Sequence, residues 1–176
     1  RKVALPYFKD PALTVQLCER VFGDTLPEFA DIVYLYGHTP ANEADVLAEG
    51  ARVITMYPEA FLGLCGLQKH ELKPSDPFSG CEAWTETLVR AEVPRGLIVW
   101  VRQELDPIRV PCTDTESFNL VRWAQKEGER TIIIVTPTFH ALRATVSVVS
   151  AAVHLGAGNL DVFVRAVPQN MNEVVQ

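Results

Sequence analysis

The stretch Thr131–Ala144, TIIIVTPTFHALRA, constrains this chain more than any other. An unbroken β-branched run, Thr131–Val135, halts at Thr136-Pro137, and a helix-compatible segment follows within a few residues. A strand apolar on both faces that hands over at once to a helix belongs in a parallel sheet covered on both sides. His140 and Arg143 stand three apart, so they share one helical face in or near the first turn. Cations are disfavoured at that end of the helix dipole by roughly 0.3–1 kcal/mol each. A bound anion reverses the sign of that cost, because free backbone N–H groups already favour negative charge there. An ordinary junction with a solvated Arg and a hydrogen-bonded His fits the same residues, and this stretch alone leaves both readings open.

The rest of the chain repeats the alternation. Pro11–Phe22 has near-helical apolar spacing and predicts an opening helix. Ile32–Tyr36 predicts a buried strand ended by Gly37-His38, and Asn42–Tyr57 a helix with Asn42 as cap. Phe61–Cys65, closed by Gly66, predicts a second strand. Leu67–Gly80 predicts a long loop of the kind that lines binding sites. Cys81–Ala91 predicts a helix, Leu97–Val101 a third strand, and Ile108–Val110 a short edge strand within the proline-bearing Arg102–Cys112. Thr115–Lys126 predicts a helix, with Asp114 a candidate cap, followed by strand Thr131–Val135, helix His140–His154 and strand Leu160–Val164. The expected fold is a three-layer Rossmann-like α/β open sheet of about five mainly parallel strands with helices on both faces. Residues 1–30 form a helical lead-in to a domain over 31–168, with a tail at 169–176.

Composition removes several function classes. The 176 residues, 48% hydrophobic and 22% charged, suit a globular chain with a real core. A net charge of −6, without a run of Lys or Arg beyond two residues, argues against a nucleic-acid partner, whose phosphates must be neutralised. No apolar run reaches the ~20 residues of a membrane span. Cys18, Cys65, Cys81 and Cys112 form no C-x-x-C pair, so they read as reduced packing residues of a cytoplasmic protein with no metal expected. The chain begins at Arg1, which leaves a preceding targeting or anchor segment open.

An open α/β sheet binds ligands at the C-terminal ends of its strands. The residues there are Gly37, His38, Asn42 and Glu43, then Gly66, then Thr113, Asp114 and Thr115, and last Thr136, His140 and Arg143. His140 has the chemistry of a general acid or base, since imidazole titrates near neutrality. Arg143 has the fork geometry for a carboxylate or phosphate, or for an ion pair with Glu82 or Asp114. Asp114 suits a helix cap or a ribose or amine contact. Glu82, in a first helical turn, suits the dipole there or a catalytic carboxyl role.

These segments resemble, in order, the YdcF/SanA/ElyC family of Rossmann-like proteins. Asp31–Gly37 followed by Asn42-Glu43-Ala44 is similar to its first strand, glycine loop and helix. Cys65-Gly66 stands where the family has a glycine pair, Cys81-Glu82-Ala83 where it has Ser-Glu-Ala, and Val93-Pro94 matches its Val-Pro. Cys112-Thr113-Asp114-Thr115 with Asn119 is similar to its Ser-x-Asn-Thr segment, and Val135-Thr136, His140 and Arg143-Ala144 meet its closing signature. The resemblance spans about Asp31–Val167. It implies shared polar residues at Glu82, Asp114, His140 and Arg143, and S-adenosylmethionine as a ligand of one branch. The expected partner is a small anionic or zwitterionic ligand, nucleotide-like or S-adenosylmethionine-like, and the reaction classes in view are transferase and hydrolase. A non-catalytic metabolite sensor and an interaction module are the alternatives. No G-x-S-x-G elbow, P-loop or complete G-x-G-x-x-G fingerprint fixes the reaction.

Overall fold

The protein is seen in a computed structural model that describes residues 25–36, 39–74, 76–104 and 112–168. Five strands form one all-parallel sheet: β1 Ile32–Leu35, β2 Phe61–Cys65, β3 Ile98–Val101, β4 Thr131–Pro137 and β5 Asp161–Val167, in the order β3-β2-β1-β4-β5. Four α-helices accompany them among the described residues: α1 Pro40–Ile54, α2 Cys81–Arg90, α3 Thr113–Glu127 and α4 Thr138–His154. This is the three-layer Rossmann-like sheet expected from the alternating pattern. The Pro11–Phe22 helix, the Ile108–Val110 strand, Cys18 and the tail lie outside the described residues.

Strand order follows from connection hand. The chain steps outward from β1 to β2 to β3, then returns past β1 to lay down β4 and β5 on its other side. Crossovers of one hand place helices on opposite faces when the direction of travel reverses. Accordingly α1 and α2 pack on Val33, Leu35, Leu62, Leu64, Ile133 and Val135. Helices α3 and α4 pack on Ile32, Tyr34, Tyr36, Ile132 and Ile134. Alternate residues of each strand point to opposite faces, so one short run feeds both cores.

Several predicted boundaries move: the Asn42–Tyr57 helix ends at Ile54, the Leu160–Val164 strand runs Asp161–Val167, and four others shift for a clear local reason. Helix α1 starts at Pro40, whose fixed φ suits a first helical position, and Thr39 before it is held extended as its cap. Asn42 is therefore the third residue of that helix and not its cap; its Oδ1 accepts the Thr39 N–H at 3.4 Å. Helix α3 starts at Thr113 with Cys112 as cap, so Asp114 lies inside its first turn. Strand β4 continues through Pro137, whose φ of −56° and ψ of 143° remain extended, and pairs Pro137 with Val167. Helix α4 then starts at Thr138, not His140.

Two glycines answer to close approach. A Cβ on Gly63 would come within 2.7 Å of both Ile32 Cδ1 and Tyr34 Cδ2, so its absence makes room for the Tyr34 ring. A Cβ on Gly66 would lie 2.7 Å from the Val101 carbonyl oxygen, which accepts the Gly66 N–H at 2.8 Å.

Candidate functional site

Between β1 and β4 the chain leaves in opposite directions, which opens a crevice at their C-terminal ends. The crevice holds a cleft of about 220 Å³. Its floor is the ends of β1, β2 and β4, through Tyr36, Cys65 and Pro137. Three helix starts face it: Thr39 and Asn42 from α1, Cys112, Thr113 and Glu116 from α3, and Phe139 and His140 from α4, with Gln103 completing the wall. Unpaired N–H groups at such starts favour acceptor atoms of a ligand.

A buried polar cluster underlies the cleft. The Tyr34 hydroxyl donates to Glu116 Oε1 at 2.9 Å, and the Tyr36 and Ser117 hydroxyls bond at 2.8 Å. Ser117 donates in turn to the Thr113 carbonyl at 2.6 Å. Burial, reinforced by the Glu116 carboxyl group, pushes the phenol pKa of both tyrosines well above its ordinary value. Thr113 Oγ1 and His140 Nε2 lie 3.4 Å apart. The His140 ring stands 6.2 Å from the Tyr36 ring and 6.2 Å from that of Phe139.

The three described cysteines are free and sit in different fields. Burial pushes the Cys65 thiol well up and raises Cys81 to about 12, with Glu82 adding to the rise at Cys81. Cys112 is exposed in the cleft wall. Partial burial raises its pKa, but the Thr115 hydroxyl and the Thr115 and Asp114 amides outweigh that and hold the thiol below its ordinary value.

The predicted site residues divide. His140 and Asn42 line the cleft. Thr115 sits beside it, 3.5 Å from Cys112 Sγ. Thr136 is fully buried next to Tyr36 on the neighbouring strand, and its hydroxyl has no hydrogen-bond partner among the described residues. Gly66 follows β2 but is not among the cleft-lining residues, and Gly37 and His38 lie outside the described residues. Asp114 turns to α4, where Ser147 Oγ donates to its Oδ1 at 2.5 Å. Glu82 Oε2 accepts the Lys69 N–H at 3.2 Å, fastening the loop before α2. Arg143 is exposed in the second turn of α4 and makes no ion pair with Glu82 or Asp114.

Sequence reasoning missed Tyr36, Gln103, Cys112, Glu116 and Phe139 as cleft residues. The Tyr-x-Tyr alternation of β1 was the available signal, since a hydroxyl in a doubly buried strand needs a partner. Among the described residues neither Lys nor Arg lines the cleft, and the described groups that attract acceptor atoms there are helix starts. Among the described residues no group of three His, Cys, Asp or Glu has metal-holding geometry, and no helix is long and apolar enough to cross a membrane.

Fold and cleft together define a three-layer Rossmann-like α/β protein with a polar crevice at its switch point. Comparison with protein-family models, with curated proteins and with solved structures finds no match to this chain.

Proposed function

We propose that the cleft binds a small nucleotide-like or S-adenosylmethionine-like ligand. The observation that carries this reading is the meeting of three helix starts around Glu116 and His140 at the switch point. Helix starts suit a phosphate or carboxylate, while the Glu116 carboxyl oxygens suit a ligand hydroxyl or amine. A ligand bearing both kinds of group, anionic at one end and a donor at the other, matches this wall better than a simple anion does. The volume lies below the roughly 300–1,000 Å³ usual for whole-ligand pockets, so the cleft takes one polar end of such a molecule.

S-adenosylmethionine fits this donor set through its carboxylate, amine and ribose hydroxyls, and would bring an activated methyl group. In a transferase or hydrolase, His140 is the residue to move a proton, with Thr113 fixing its ring. The ordered motifs support membership of the YdcF/SanA/ElyC family, with Thr113 and His140 lying 3.4 Å apart at the crevice. The net charge of −6 supports a small molecule over nucleic acid, and the free described thiols support a reducing, cytoplasmic setting.

Thermal unfolding with millimolar adenosine 5′-monophosphate, S-adenosylmethionine and S-adenosylhomocysteine tests the reading. A ligand at a hundred times its Kd stabilises by about 2.7 kcal/mol, a readily measured rise in Tm. His140→Ala should reduce that rise. A flat response to every ligand overturns the proposal. With binding established, turnover lost in His140→Ala separates an enzyme from a sensor.

A further inference from the structure

The lip of the cleft carries a feature that its polar interior does not explain. Phe139 lines the cleft, yet 66% of its surface faces solvent. Leu142, three residues on, is 41% exposed, and Arg143, four residues on, is exposed as well. Positions i, i+3 and i+4 share one helical face, so ring, aliphatic group and guanidinium form a continuous strip beside the opening.

Inward from Phe139 the rings continue. His140 lies 6.2 Å from Phe139, Tyr36 lies 6.2 Å from His140, and Tyr34 lies 5.0 Å from Tyr36. The inner tyrosines are buried and fixed by Glu116 and Ser117, whereas the outermost ring, Phe139, faces solvent. A lone surface phenylalanine needs no explanation. One that shares a wall with a polar cleft too small for a whole ligand is different.

We propose that Phe139 is the stacking platform for a planar heteroaromatic group of nucleobase type, carried by the ligand whose polar end enters the cleft. The inference rests on the ligand-binding reading above and adds the class of group at the ligand's outer end. The face commits to a base and not to a protein because it is continuous with the cleft wall. It also ends on Arg143, whose planar guanidinium stacks on π systems as readily as it pairs with anions. Base–aromatic stacking tolerates any base, so this platform sets affinity while the cleft sets orientation.

Calorimetric titration of the full chain tests this with two base-bearing probes, adenosine 5′-monophosphate and S-adenosylhomocysteine, and their base-free counterparts, ribose 5-phosphate and homocysteine. The native protein should bind at least one base-bearing probe about tenfold or more tightly than its counterpart. Phe139→Ala should erase that advantage, bringing the base-bearing probe to the affinity of its counterpart, whereas Phe139→Trp should retain it. Equal affinity of each pair for the native protein, or no effect of Phe139→Ala, overturns the platform and leaves the cleft reading standing. Failure of all four probes overturns both. Sedimentation in which Phe139→Ala dissociates a self-associated chain without altering probe binding makes the face a protein contact and also overturns the platform.

Discussion

The two faces of one sheet are built from alternate residues of the same strands, yet they have different chemistry. The face under α1 and α2 is lined by Val33, Leu35, Leu62, Leu64, Ile133 and Val135, with no polar side chain from β1. The face under α3 and α4 shares Ile32, Ile132 and Ile134 but carries Tyr34 and Tyr36, answered by Glu116 and Ser117. The first face gains stability simply by excluding water. The second gives up part of that gain to hold polar groups, and each must find a partner. The cleft opens where the second face reaches the strand ends. The buried hydroxyl network and the purely apolar packing of β1 are thus divided between two sides of a thin layer.

Substitutions can break or sharpen that division. Leu64→Ala on the dry face removes a fully buried side chain and should cost about 2–5 kcal/mol in urea unfolding. Tyr34→Phe on the polar face keeps the ring but removes the hydroxyl that Glu116 accepts, and should cost about 1–3 kcal/mol. If the second loss equals or exceeds the first, the stabilising side has been misassigned.

The polar face also has an alkaline signature. Both tyrosines hold their protons to a higher pH in the folded chain than in the unfolded one. Above about pH 10 the unfolded phenols ionise first, so the unfolded state binds fewer protons and stability falls as pH rises. Circular dichroism across that range should show the fall in the native protein and a shallower one in Tyr34→Phe. An equally steep loss in the variant removes Tyr34 from the explanation.

The smallest expected effect on stability is at Cys112, where Ser should change it by no more than about 0.5 kcal/mol. Its reactivity is the sharper readout. Iodoacetamide should modify Cys112 in the folded protein, with a midpoint below the ordinary thiol value, while Cys65 and Cys81 wait for unfolding. Mass mapping that finds Cys65 or Cys81 modified first contradicts the fields assigned to the three thiols.

How much of this was readable from the residues alone differs between the faces. Strand and helix alternation was plain, because runs such as Phe61–Cys65 are too short and too apolar for anything but buried strands. The chemistry of β1 was hidden by the same property. In a strand buried on both sides, tyrosines merge into the apolar run, and only the partner helix reveals that their hydroxyls are answered. The start of α3 was hidden because a thiol is an unusual cap and Asp114 two residues later is a common one. Beginning α4 at Thr138 carries Arg143 into the second turn, past the helix start it was expected to serve. His140 kept its place, since the third residue of α4 still faces the crevice.

The clasp that Asp31 makes forms late in folding. The Asp31 carboxyl group accepts the backbone N–H groups of Arg130 at 2.8 Å and Thr131 at 2.7 Å, and Ile32 then pairs with Ile132. That clasp joins segments about a hundred residues apart, so it can close only after a large loss of chain entropy. Strands β1, β2 and β3 and their helices can collapse on more local contacts, but the crevice has no second wall until β4 arrives. The crevice is therefore among the last features to form as the chain folds. Refolding followed by ligand capture should lag refolding followed by helix content.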